Sequence, residues 1–164
     1  MNEHHFVIPP EGCHRYSVRV YYEDTDAGGV VYHASYLRFA ERARTEALRD
    51  LGIPHAELLE RFCLMFMVRR IEVDYLRPAR VDDLLSIGTE VLAVGGASVA
   101  LRQTIRGPNG DCAALTLRLA CVRIDGGKRP GRMPPRWRAA LQAMREARAA
   151  GESELRAPIS PGAG

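Results

Sequence analysis

The sequence contains no uninterrupted apolar run of about eighteen residues, the length that a membrane-crossing helix requires. Its opening residues, MNEHHFVIPPEG, lack the basic and then apolar segments of an export signal, so a cytoplasmic protein without a transmembrane segment is expected. Cysteine is scarce as well. Cys13, Cys63, Cys112 and Cys121 are scattered with no CxxC pair, which excludes a zinc knuckle and a disulfide scaffold, and in a reducing compartment they are expected as free thiols. There is no GxSxG elbow, no Walker segment and no Rossmann glycine fingerprint. A formal charge of +3 is too small to point to nucleic acid. The positive charge is nonetheless uneven, with Lys128, Arg129, Arg132, Arg136, Arg138, Arg145 and Arg148 facing only Asp125 and Glu146 in that stretch. Such a run is a solvated basic surface or a place to meet phosphates.

What is present is a chain of 164 residues that is 46% hydrophobic and 26% charged, enough apolar matter to build one core and too much for a disordered chain. From His14 to Glu23, the residues Tyr16, Val18, Val20 and Tyr22 alternate with polar neighbours, the period of a strand with one buried face. Asp24 to Gly29 is a run of turn formers. Between Ala34 and Leu51 the apolar residues Leu37, Ala40, Ala43, Ala47, Leu48 and Leu51 recur at helical spacing, and Gly52 and Pro54 stop the helix. Ile53 to Arg61 is expected to add a short helical turn. Four more strands are predicted over Leu64–Leu76, Leu84–Val94, Ser98–Arg106 and Cys112–Ile124, with tight turns at Arg77-Pro78-Ala79, Gly95-Gly96 and Pro108-Asn109-Gly110 that favour antiparallel pairing. A last helix is predicted over Arg136–Ala149, followed by a mobile Gly-, Pro-, Ala- and Ser-rich tail. The expected fold class is therefore α+β: a five-stranded antiparallel sheet around one long helix, with a peripheral C-terminal helix, the arrangement of the hotdog fold. The division expected is an N-terminal extension over 1–13, a hotdog domain over 14–149 and a flexible tail over 150–164.

Chemistry concentrates in Tyr21-Tyr22-Glu23-Asp24-Thr25-Asp26-Ala27-Gly28-Gly29-Val30-Val31-Tyr32-His33-Ala34-Ser35-Tyr36, followed by Phe39-Ala40-Glu41-Arg42-Ala43-Arg44-Thr45-Glu46. Together with Val68-Arg69-Arg70-Ile71 and Pro78-Ala79-Arg80-Val81-Asp82-Asp83, this segment closely resembles the YbgC-like acyl-CoA thioesterases, the Tol-Pal-associated branch of the 4-hydroxybenzoyl-CoA thioesterase family. The resemblance spans about Arg15 to Ala139. It implies the hotdog fold, hydrolysis of acyl-CoA, and homodimers that often pair into homotetramers, with active sites at the dimer interface. It also implies Asp26 as the catalytic carboxylate and His33 as its companion, with acyl carrier protein as a further partner or acyl donor. No metal and no cofactor beyond the CoA of the substrate are expected.

The residues support that chemistry on their own terms. A thioester needs a carboxylate to attack its carbonyl or to deprotonate water, and donors for the charge that grows on the carbonyl oxygen. Asp26 offers the first, and the free amides at the start of the long helix, near His33 and Ala34, offer the second. Gly29, Val30, Tyr32 and Ala34 are the candidate substrate contacts, and the small Ala27, Gly28 and Gly29 let a ligand approach the backbone. His33 has two roles in view, hydrogen-bonding or protonating the leaving thiolate through its ring and polarising the carbonyl through its amide. Asp24 suits a turn-stabilising role. Glu41, two turns beyond His33, is a reserve carboxylate for which a structural ion pair with a neighbouring Arg is expected. Counted from Asp24, Gly28 and Ser35 fall where a calcium loop needs oxygen ligands and a bidentate Glu, which excludes that reading. Arg69, Arg70, Arg80, Lys128 and Arg129 are candidates for the CoA phosphates, and Phe62, Met65, Phe66 and Met67 for the acyl wall, with core packing as the plainer role of the latter. A non-catalytic acyl-CoA or acyl-carrier-protein binding module and an enoyl-thioester hydratase are the competing functions.

Overall fold

The structure, a computed structural model, describes residues 8–155. Strand β1 runs Cys13–Arg19, β2 Leu64–Tyr75, β3 Leu84–Val94, β4 Ser98–Gly107 and β5 Gly110–Arg123; helix α1 runs His33–Asp50, α2 His55–Phe62 and α3 Pro135–Leu155. The strands form one sheet in the order β1-β3-β4-β5-β2, antiparallel throughout, as their tight connections require. Among the described residues no helix is long and apolar enough to cross a membrane.

Each central strand turns one face to the helices. Leu85, Ile87, Ile105, Ala113 and Leu115 pack against Tyr36, Phe39, Ala40 and Ala43 of α1, so the helix's first half lies across the middle of the sheet. Its second half, through Leu48 and Leu51, shares a core with Leu58 of α2, with Trp137, Leu141 and Met144 of α3, and with Val91, Val99 and Leu117 of the sheet. The intervening residues of the sheet, among them Arg102, Arg106, Thr116 and Arg118, are exposed on the opposite face.

Three features depart from expectation. The first strand stops at Arg19. Tyr22 was expected on the buried face but is 84% exposed, because the chain turns into a one-turn 3-10 helix over Tyr22–Asp24 closed by the Asp24 carboxylate on the Tyr21 amide (Oδ2, 2.9 Å). Helix α3 continues to Leu155, six residues past the expected end at Ala149, so residues 150–155 are helical rather than tail. The segment over 1–13 is not wholly an extension either, since Pro10–Gly12 forms a 3-10 turn against α3. Gly12 adopts φ +63°, and a Cβ there would stand 2.2 Å from the Arg148 amide nitrogen, so the two elements meet backbone to backbone. Residues 1–7 and the tail beyond 155 lie outside the described residues. All four cysteines are unpaired.

Candidate active site

The segment between β1 and α1 is built by its own hydrogen bonds. The Gly29 amide donates to the Asp26 carbonyl (3.0 Å), the Asp26 amide to the Val30 carbonyl (3.0 Å), and the Gly28 amide to Oδ1 of Asp26 (2.8 Å). Asp26 thus heads a tight turn and caps it with one carboxylate oxygen, a role that the sequence suggested more strongly for Asp24. Oδ2 of Asp26 has no partner among the described residues, and the side chain is exposed. Gly29 sits at φ +73° with open space where a side chain would be. The loop is then fastened from outside: the Val31 amide donates to the Ala79 carbonyl (2.8 Å) and the Tyr32 amide to the Asp24 carbonyl (2.8 Å).

Helix α1 begins directly after this loop with no side chain capping it. The Ser35 amide donates to the Tyr32 carbonyl (2.8 Å), which leaves the amides of His33 and Ala34 without partners among the described residues. Orphan amides with a helix dipole behind them are good receivers of negative charge. The His33 ring lies tilted against Tyr32 (centroids 4.3 Å apart, planes at 55°) and meets Tyr75 edge-on (6.5 Å).

Asp26, Val30, Val31, His33, Tyr36, Tyr75, Leu76, Arg77 and Pro78 line one open groove of about 350 Å³. Asp26, His33 and Val30 are therefore brought together. Gly29, Tyr32 and Ala34 do not line the groove and stand beside it, at the loop tip, the helix cap and the first turn of α1. Tyr36, Tyr75 and Arg77 are members that the sequence reading did not single out. The Tyr36 hydroxyl accepts from the Ala79 amide (3.1 Å), and burial raises its phenol above the ordinary value. Tyr75 donates its hydroxyl to the His33 carbonyl oxygen (2.8 Å), and partial burial raises its phenol too, so both stay protonated at neutral pH. The signal for Tyr75 was an aromatic residue with a polar tip at the end of an apolar alternation.

Other candidates fall elsewhere. Glu41 is exposed on α1, outside the groove, and makes no ion pair among the described residues, contrary to expectation. Phe62 packs on Trp137 (5.4 Å) and Phe66 on His55 (6.2 Å), which places both at the core rather than in an acyl wall; Met65 is exposed. Arg69 and Arg70 border a separate groove with Arg118, while Arg80, Lys128 and Arg129 are exposed at other points of the chain. The Cys13, Cys112 and Cys121 thiols are all pushed up by burial, Cys121 to about 11, the opposite of what a nucleophilic thiolate needs.

Gly28 gives a direct test of the turn. A Cβ there would stand 3.0 Å from Oδ1 of Asp26 and force the carboxylate to shift. Gly28→Ala is expected to lower kcat by about three- to tenfold while leaving the melting temperature nearly unchanged, since the carboxylate must give by a few tenths of an ångström and a misplacement of about an ångström costs roughly 10²-fold at a reacting centre. Steady-state kinetics beside a thermal melt check it.

Residues 28–114 match the family model of the thioesterase superfamily, a span that contains His33 and starts just after Asp26. The acyl-CoA thioesterase YbgC of Haemophilus influenzae is 45% identical over 130 residues, covering 79% of this chain and 95% of the relative. Among solved structures, a probable thioesterase from Bartonella henselae superposes with a TM-score of 0.70 at 38% identity, over 74% of this chain and 99% of that one. A Thermus thermophilus thioesterase complexed with coenzyme A and zinc does so with a TM-score of 0.67 at 29% identity, over 80% and 93%. The five-stranded sheet laid on α1, the loop ahead of that helix and a sequence match over more than half the length point the same way: this chain belongs to the thioesterase superfamily.

Proposed function

We propose that this protein hydrolyses acyl-CoA thioesters to free CoA and a carboxylic acid, in the groove between Asp26 and the start of α1. The observation that carries the reading is one carboxylate oxygen left free, Oδ2 of Asp26, in the same groove as His33, beside two unbonded amides at a helix N-terminus. The thioester carbonyl oxygen binds the amides of His33 and Ala34, which receive its developing charge. Oδ2 then takes a proton from water as the water oxygen adds to the carbonyl carbon, or adds to that carbon itself. In the first route the C–S bond breaks as the tetrahedral adduct collapses, and the thiolate gains the proton by way of Asp26 or the His33 ring. In the second the C–S bond breaks as the Asp26 anhydride forms, CoA leaves as the thiolate and takes a proton from solvent or the His33 ring, and water cleaves the anhydride to the carboxylic acid and free Asp26. Label in the Asp26 carboxylate after a single turnover in heavy-oxygen water identifies the anhydride, since it enters when water attacks the Asp26 carbonyl carbon. The Haemophilus relative's name and the CoA in the Thermus structure support the substrate class. The test is thiol release from short, long and aromatic acyl-CoAs. Release from any of them sustains the reading; binding without release would replace it with a non-catalytic acyl-CoA module.

The same reading includes a homodimer formed along β2. Register with β5 puts Phe66, Val68, Ile71, Val73 and Tyr75 on the helix-bearing face, yet Val68 is 48% and Tyr75 49% exposed, because among the described residues the helices leave this edge of the sheet largely uncovered. An edge strand of 12 residues with apolar side chains in water invites a second copy to continue the sheet. Val68→Glu is expected to weaken the dimer by about 10²-fold or more in Kd, the cost of an unpaired carboxylate at an apolar contact. Sedimentation over a concentration series measures it, and a monomeric parent protein would end the dimer proposal.

A further inference from the structure

The strongest unassigned contact of the groove is the hydrogen bond from Tyr75 to the His33 carbonyl. Tyr75 is the last residue of β2, paired with Ala113 of β5, and the next two amides, of Leu76 and Arg77, both donate to the Cys112 carbonyl (2.8 and 3.2 Å). The phenol is thus held by the sheet while its tip reaches the first turn of α1, 42 residues away in sequence. Its ring lies 5.7 Å from that of Tyr36, itself tied to Ala79, so the position is braced on two sides.

The carbonyl it touches belongs to the peptide unit whose nitrogen is that of Ala34. A donor on the oxygen of an amide draws electron density towards that oxygen and leaves the N–H of the same unit more positive. A carbonyl has two lone pairs, so this bond adds to whatever the helix ladder supplies. The Ala34 amide is one of the two left without a partner at the start of α1.

We propose that Tyr75 is a positioning residue for thioester hydrolysis, polarising the His33–Ala34 peptide so that the Ala34 amide becomes a stronger donor to the charge forming on the substrate carbonyl oxygen. The inference rests on the thioesterase reading of the groove. Loss of a whole oxyanion donor costs on the order of 10² to 10³ in kcat, and one hydrogen bond strengthens its neighbour by roughly 10–30%. Removing the phenol hydroxyl is therefore expected to lower kcat by about two- to eightfold with KM nearly unchanged, because the gain arises in the transition state.

The experiment compares the parent protein, Tyr75→Phe, and a series in which position 75 carries fluorinated tyrosines of increasing acidity. All are assayed well below the pKa of the most acidic analogue, with a melting curve for each. Polarisation predicts that kcat falls in Tyr75→Phe and rises through the fluorinated series as the phenol becomes a better donor, while KM stays flat. A purely structural brace would leave kcat flat across the fluorinated series, and an unchanged kcat in Tyr75→Phe would remove any role; either overturns the proposal. A parent protein that releases no thiol fails the thioesterase reading itself, a result distinct from both.

Discussion

Asp26→Asn is expected to lower kcat for acyl-CoA hydrolysis by about 10² to 10⁴, the usual cost of losing a positioned acid, base or nucleophile. The substitution is close to ideal for this loop. Only Oδ1 of Asp26 is used structurally, accepting the Gly28 amide at 2.8 Å, and the amide oxygen of Asn can accept the same bond, so the turn is retained. What is lost is the charge and basicity at the free oxygen. KM should move little, because the groove walls and the helix amides are untouched, and the thermal midpoint should match that of the parent. Thiol release, a KM-against-kcat comparison and a melt measure the three. A variant that keeps full activity would remove Asp26 from the chemistry. Glu41 would be a poor replacement, since it is exposed on α1 and does not line the groove.

Much of this frame was legible because its signals are local. The β3 bounds match the alternation from Leu84 to Val94, and α1 begins and ends within a residue of where its apolar spacing and Gly52 put it. Asp26 and His33 were legible for a different reason: the loop is a continuous stretch of sequence, so the residues that meet in space are neighbours in the chain. What escaped depends on contacts between distant segments. Tyr75 continues the alternation of Ile71 and Val73 and reads as one more packed residue; only the fold reveals that its hydroxyl ends on His33. The last six residues of α3 carry a glycine and weak periodicity, and they are helical where Gly151 lies against Glu11 and Arg148 donates to the Val91 carbonyl (3.2 Å) and pairs with Glu152. The failure at Tyr22 runs the other way, since a long-range pattern was extended through residues that a local cap had already turned.

Gln103→Ala is expected to cost about 2–4 kcal/mol, which for a domain of this size lowers the midpoint by roughly 5–15 °C. Gln103 is fully buried in β4, and its side chain joins the sheet to the helix that presents the site. Nε2 donates to the Ala40 carbonyl and to the Thr89 hydroxyl, both at 2.9 Å, and Oε1 accepts from Nη1 of Arg44, also at 2.9 Å. Arg44 is the reason the effect is large. Desolvation lowers its pKa, the Glu41 carboxylate opposes this only through space with no direct ion pair among the described residues, and the amide oxygen of Gln103 is the acceptor that the guanidinium touches. Removing that acceptor leaves a half-buried guanidinium with no hydrogen-bonded acceptor and a void beside Ala40. The coupling is testable by a cycle. Arg44→Met should cost less than Gln103→Ala, and the double variant should cost clearly less than the sum of the two, because the second change removes the group that the first stranded. Additive costs in chemical denaturation would mean that the two side chains act independently. They would leave the bond from Gln103 to the Ala40 carbonyl as the polar link that places α1 on the sheet, and with it the His33 and Ala34 amides.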